Sequence, residues 1–220
     1  MDAVTPTAVV LPDRRIVVPA LGITQILAWG STFYLLGVLA NPISRETGWS
    51  YDWVIGGVSL GLLVAGVVSP RVGRAIGRYG GRPVLAAGSI FLAAGLIALG
   101  LSSNFTLYLV AWVLIGAGMG AGLYDAAFAT LGTIYGKDAR GAITSVTLFG
   151  GFASTVCWPL SALLVEHLGW RGAAFVYGAV QLGVSLPVFL RAGSGCLNRF
   201  SASLSGASAG FKLPCGEAAG

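Results

Sequence analysis

Long uncharged apolar runs alternate along this chain with short segments that hold its charges. Ile16 to Ser44, Trp53 to Pro70, Pro83 to Tyr124, Gly141 to Val165 and Gly172 to Leu190 contain no Asp, Glu, Lys or Arg. A helix needs roughly 20 apolar residues to cross about 30 Å of hydrocarbon, so four of these runs fit one crossing each. The third run is about twice as long, and Ser102-Ser103-Asn104 near its middle supplies a polar turn. The pattern predicts six membrane-spanning helices. It lacks the alternation of apolar and polar positions that a transmembrane barrel requires, and helices satisfy their backbone polar groups within each segment.

Composition supports the same class. Charged residues make up 10% of the chain and hydrophobic ones 55%, with a mean hydropathy of +0.82. A soluble domain carries about 25% charged residues, so this apolar excess exceeds what one soluble core hides. The net charge of +5 resides in short inter-span segments rather than on a basic face with interleaved aromatics. It therefore reports orientation, not a nucleic-acid partner.

With the N-terminus inside, Arg14, Arg15, Arg71, Arg74, Arg78, Arg82, Lys137, Arg140, Arg191, Arg199 and Lys212 fall on the cytoplasmic side, and only Arg45 and Arg171 fall outside. Basic residues in short loops resist translocation, so both termini are expected in the cytoplasm and the bundle in the inner (plasma) membrane. Trp49, Tyr51 and Trp53 stand at the expected outer edge of the second span, where amphipathic rings favour the headgroup layer. The organisation expected is a cytoplasmic segment 1–15, a six-helix bundle 16–190 and a tail 191–220, whose serines among glycines and alanines suit disorder.

Cys157, Cys196, Cys215 and the single His167 make neither a disulfide framework nor a zinc site. No paired carboxylates or nucleophile-base set suggests an enzyme, and no cofactor is expected.

Between the second and third expected spans lies a loop, Gly73 to Pro83, with Gly73, Arg74, Arg78, Gly80 and Arg82. Its order of glycines and arginines resembles the signature of the major facilitator superfamily. Gly77 stands where that family usually has an aspartate, and Gly81 where it often has a basic residue. Trp29-Gly30-Ser31, Gly48-Trp49-Ser50 and Gly169-Trp170-Arg171-Gly172 are in turn similar to bacterial members of the monocarboxylate-porter group. The resemblance covers roughly residues 16 to 190. It implies an all-α fold of two six-helix bundles, each a 3+3 inverted repeat, with solute bound between them and access alternating as they rock. The acidic latch that the family's aspartate provides is missing here.

The resemblance also places spans one and four along the cavity. The polar groups there are Gln25, Ser31, Thr32, Tyr34, Tyr124 and Asp125. Asp125 is the one carboxylate within a long apolar run, which makes it a candidate for proton coupling or solute contact, facing the bundle interior or water. The alternative is a structural carboxylate within reach of Lys137 or Arg140. Gln25 in hydrocarbon suits an interhelical hydrogen bond as well as a solute contact.

Gly116, Gly118, Gly120 and Gly122 form two interleaved GxxxG pairs, suited to close helix contact, sliding or static. Pro159 predicts a kink in the fifth span. Trp112 replaces the arginine typical of proton-coupled members, and the glycine-proline-rich antiporter motif of span five is absent.

The expected function is secondary transport of a small solute by the N-terminal half of such a transporter, with the bilayer and a second six-helix half as partners. The group resemblance favours a small organic anion, although no intramembrane basic residue is present to bind one. The polar tail reads as sequence appended after a break in the coding region. Two alternatives stay open: a half-transporter that pairs with itself or with a separately encoded half, and a scaffold or assembly protein that moves no solute.

Overall fold

The computed structural model describes residues 14–191, and the tail expected to be disordered lies outside the described residues except for Arg191. Helix accounts for nearly all of them, and no strand occurs among the described residues. Helix α1 (Arg14–Trp29) runs through a π-helical turn, Gly30–Tyr34, into α2 (Leu35–Thr47). Then come α3 (Tyr51–Tyr79), α4 (Gly81–Gly100), α5 (Phe105–Gly122), α6 (Tyr124–Tyr135), α7 (Ala139–Gly151), α8 (Ala153–Val180), a second π-helical turn, Gln181–Ser185, and α9 (Leu186–Arg191). Four stretches are long and apolar enough to cross a membrane: Arg15–Thr47, Tyr51–Tyr79, Gly81–Gly100 and Phe105–Leu190. The last is 86 residues, several times the length of one crossing.

The ends of these rods follow local chemistry. Gly48 terminates α2 with a left-handed φ of 72°, and its N–H donates to the Ser44 carbonyl. Asn104 caps α5, its Oδ1 accepting from the Leu107 N–H at 2.8 Å. α5 and α6 are separated by one extended residue, Leu123. Gly169, at φ 69° and ψ 174°, divides α8. Pro159 keeps to the exposed surface of α8, and the non-helical backbone inside that helix is at Gly169.

The expected arginine-glycine loop is mostly not a loop. Gly73, Arg74 and Arg78 lie on the last turns of α3, only Gly80 is non-helical, and Arg82 opens α4. The helix persists because arginine is a good helix former and because Arg71 and Arg74 turn back to donate to the carbonyls of Val67 and Pro70.

Arg82 serves the fold directly. Its Nε donates to the Phe189 carbonyl at 3.1 Å and its Nη2 to the Leu190 carbonyl, so a cation caps the carbonyl end of α9. Arg82→Gln is expected to cost about 1 kcal/mol, the usual net worth of such a bond. Amide exchange confined to residues 186–190 would rise first; protection unchanged there would refute the cap.

α5 is the central rod. Its glycines sort by face: Gly116 and Gly120 meet α3, and Gly118 and Gly122 meet α4. A Cβ on Gly118 would lie 2.7 Å from the Leu92 nitrogen, and one on Gly120 3.0 Å from the Ala65 carbonyl oxygen. Across the same seam, Trp112 fits over Gly57 and Gly61. Two apolar clusters result. One gathers Leu39, Ile43, Leu96, Tyr108, Trp112 and Ile115; the other gathers Ile76, Leu85, Leu131 and Val146 toward the end that carries Gly80.

Candidate functional site

α1 and α6 meet where α5 gives way to α6, and the polar residues expected on the first and fourth spans gather there. Gln25 is fully buried, and its Nε2 donates to the Gly122 carbonyl at 2.8 Å. That carbonyl belongs to the last turn of α5, where intrahelical partners run out. The Gln25 Oε1 has no hydrogen-bond partner. One turn further along α1, the Nε1 of Trp29 is likewise buried and unpartnered.

Ser31 and Thr32 face the interior instead. Thr32 donates to the Ala28 carbonyl at 2.7 Å, and Ser31 accepts from Gln181 Nε2 at 2.9 Å while donating to Ala28. Ser31 and Gln181 sit in the two π-helical turns, so one buried hydrogen bond joins the two irregular segments. The crevice between Ser31, Thr32, Leu36, Leu99 and Trp112 is too narrow for a water molecule. A solute therefore has no room in that part of the bundle.

The outward side of α1 and α6 is different. Trp29 stacks on Phe33 at 4.7 Å and packs against Tyr124 at 5.1 Å, and Tyr124 stacks on Phe128 at 5.1 Å. All four rings are half-buried, as is Tyr34, whose phenol is near enough to that of Tyr124 to interact with it. Tyr124 reaches α7, its hydroxyl 3.5 Å from the Thr147 carbonyl.

Asp125 is exposed beside this ridge, and it makes no ion pair among the described residues. It does not face the bundle interior. It is also ten residues before Tyr135, about 15 Å along the helix at 1.5 Å per residue, which removes it from Lys137 and Arg140. Asp125 lies within the apolar Phe105–Leu190 stretch, where a carboxylate facing lipid at the bilayer centre would cost roughly 3 kcal/mol, so this face suits water or a polar partner. Phe33 and Phe128 were not singled out from sequence, and Trp29 only as part of the Trp29-Gly30-Ser31 motif. Their signal was the four-residue spacing of Trp29 with Phe33 and of Tyr124 with Phe128, which places each pair on one helix face.

At the far end a second polar cluster ties three rods together. Glu46 accepts from Trp170 Nε1 at 2.6 Å and from Arg171 Nε at 3.1 Å. Arg171 Nη1 also donates to the carbonyls of Gly100 and Ser102, and its guanidinium lies 4.3 Å from the Trp170 ring. The Gly169 break positions this pair.

The family model described as Major Facilitator Superfamily matches residues 21–195, most of the chain. The chain belongs to the major facilitator superfamily. It is thus a multi-pass membrane protein of a transporter family and not an enzyme. Among curated relatives, monocarboxylate transporter 3 of Rattus norvegicus is 31% identical over 153 residues, covering 67% of this chain and 30% of that protein. Human monocarboxylate transporter 11 is 32% identical over 126 residues, covering 56% of this chain and 26% of that protein. Human monocarboxylate transporter 6 is 31% identical over 109 residues, 49% of this chain and 21% of that protein. The chain thus spans less than a third of the length of these facilitator relatives. They are animal proteins; the resemblance to bacterial members has no counterpart among them.

Proposed function

We propose that this chain forms one six-helix bundle, a 3+3 inverted repeat, of a secondary transporter for a small organic solute. The breaks at Gly136 and Gly169 would divide the long Phe105–Leu190 stretch into three crossings, which with the three before it make six. In the proposed orientation Gly80, Gly136 and the end of α9 are cytoplasmic, together with both termini, and the Glu46–Arg171 cluster is external. A second bundle, from a longer chain, a second copy or a separate protein, completes the cavity. Access alternates as the two bundles rock about it.

The observation that carries this reading is Asp125, an exposed carboxylate within the long apolar Phe105–Leu190 stretch, beside a half-buried aromatic ridge. It stands on the two helices that the family resemblance assigns to the solute path. The interior of the bundle is packed too tightly at Ser31 and Thr32 to hold a solute, which favours the outward face.

The names of the relatives point to monocarboxylates. A carboxylate bound in the cavity would draw its countercharge from the other bundle, because residues 16–44 and 83–136 contain no Lys or Arg.

Uptake into proteoliposomes, with crosslinking to report the assembly, tests the proposal. Saturable uptake of a labelled small monocarboxylate or monoamine is expected when a second bundle is present, and Asp125→Asn is expected to lower it at least tenfold at unchanged protein insertion. Uptake indifferent to Asp125→Asn would remove the cavity from this face. Uptake by a stable crosslinked homodimer would replace the two-part arrangement with a self-paired one.

A further inference from the structure

We infer that the α1–α6 face binds an aromatic or similarly flat organic cation, an ammonium group on a ring, rather than an organic anion. The inference rests on the transport reading for its site and departs from the relatives' names for its ligand. Four observations carry it.

The rings of Phe33, Trp29, Tyr124 and Phe128 form one continuous ridge: two stacked pairs, Trp29–Phe33 at 4.7 Å and Tyr124–Phe128 at 5.1 Å, joined by a tilted Trp29–Tyr124 contact at 5.1 Å. Every ring in it is half-buried, so the ridge is held in place yet retains a free edge or face. Such a surface offers a flat apolar group stacking contact, and its negative ring faces attract a cation and disfavour an anion.

Asp125 supplies the charge. It precedes Phe128 by one helical turn, which puts the two side chains side by side on α6. The carboxylate is exposed and has no cationic partner among the described residues. An ammonium group seated there would gain both a charge-assisted hydrogen bond and the adjoining ring face.

The two segments that form this face are poor in opposing charge. Between Arg15 and Arg45, and again between Arg82 and Lys137, the chain has no basic residue. An organic anion on this face would meet a carboxylate of its own sign and the negative faces of the rings. Repulsion of this kind is how a site rejects a wrong partner.

Finally, the Nε1 of Trp29, in the ridge itself, and the Oε1 of Gln25, one turn before it on α1, are buried and unpartnered. Unsatisfied buried groups are rare and each calls for an explanation; the Trp112 Nε1 and Ser185 Oγ are two more among the described residues, away from the ridge. The ammonium N–H groups of such a solute would donate to the Gln25 Oε1 if α1 shifts.

The test is equilibrium dialysis of benzylammonium, benzoate and tetramethylammonium against the purified chain in nanodiscs of neutral lipid. Benzylammonium is expected to bind at least tenfold more tightly than benzoate, with tetramethylammonium intermediate. Asp125→Asn should bring benzylammonium down to the benzoate level. Trp29→Leu should weaken it several-fold, and Trp29→Phe, which keeps a ring and guards against misfolding, should retain most of it. Benzoate bound as tightly as benzylammonium, no binding of either, or no effect of Asp125→Asn would overturn the inference. Counterflow in proteoliposomes separates the two readings. Movement of benzoate without benzylammonium rejects the cation site and leaves transport standing, whereas benzylammonium binding without movement of any solute rejects transport and leaves the site.

Discussion

Gly116→Leu is expected to leave little folded protein, seen as loss of the monodisperse peak in detergent and of any cooperative thermal transition. Even a single Cβ at this position would run into the carbonyl oxygen of Gly61 and lie 2.9 Å from its Cα and from the Val64 Cβ. Two of those three atoms are backbone, so no rotamer change relieves the clash. Overpacking a well-packed core costs about 1–3 kcal/mol, and a site closed by backbone belongs at or beyond the upper end. Gly116→Ala should already be clearly destabilised. Gly66→Ala on α3 is the control: nothing lies within 4 Å of its added Cβ. It should be neutral or gain up to about 1 kcal/mol, because alanine restricts the unfolded chain and favours helix. Equal behaviour of Gly116→Ala and Gly66→Ala would show that α3 and α5 are not in backbone contact.

Arg171→Ala should give the next largest loss, about 2 kcal/mol, read as a fall in the thermal midpoint. An exposed ion pair alone is worth about 0–1 kcal/mol, and Arg171 and Glu46 have side-chain exposures of 37% and 53%. The larger part comes from the two carbonyls at the end of α4, Gly100 and Ser102, that Arg171 Nη1 satisfies at 2.9 and 2.8 Å. Charged hydrogen bonds of this kind contribute about 1.5–3 kcal/mol where they replace buried unmet acceptors. Glu46→Gln separates the two terms. It removes the ion pair, keeps an acceptor for Trp170 and leaves the carbonyl contacts, so it should cost less than half as much as Arg171→Ala. A larger effect from Glu46→Gln would mean that the ion pair, not the capping of α4, secures this end.

Both variants act at places where sequence patterning stops short. Four glycines at alternate positions 116 to 122 announce close contact, but not with what. Only the packed bundle shows that they serve two partners, with α3 on one face and α4 on the other. Likewise Gly169-Trp170-Arg171 stands out as a motif, yet its partner Glu46 is 125 residues away in the chain. No local pattern encodes a contact at that separation.

The candidate site divides in the same way. Gln25 and Asp125 are visible in sequence because a polar group within an apolar run is costly and so informative. Their surroundings are not. Gln25 finds a carbonyl of α5, Asp125 turns outward, and Ser31 spends its hydrogen bonds on Ala28 and Gln181. Helical periodicity ranks faces poorly where nearly every position is apolar, since inside and outside then carry the same chemistry. Of the two surroundings expected for Asp125, bundle interior or water, its exposure leaves the second. The loop expected at 73–82 was wrong, because charge density marks where a chain leaves hydrocarbon but not where its helix ends.

The sequence by itself determined the class of this protein: apolar runs of membrane-crossing length, helices throughout, and a glycine-arginine signature of the major facilitator superfamily. Those properties are one-dimensional, since a hydrocarbon slab sorts segments by length and charge before any helix meets another. The tertiary structure decided which helix each glycine touches, which polar groups are spent on holding the bundle, and that an aromatic ridge lies beside an exposed carboxylate with no ion pair among the described residues. Those depend on the relative rotation of the packed helices, which is set by shape complementarity among side chains far apart in the chain.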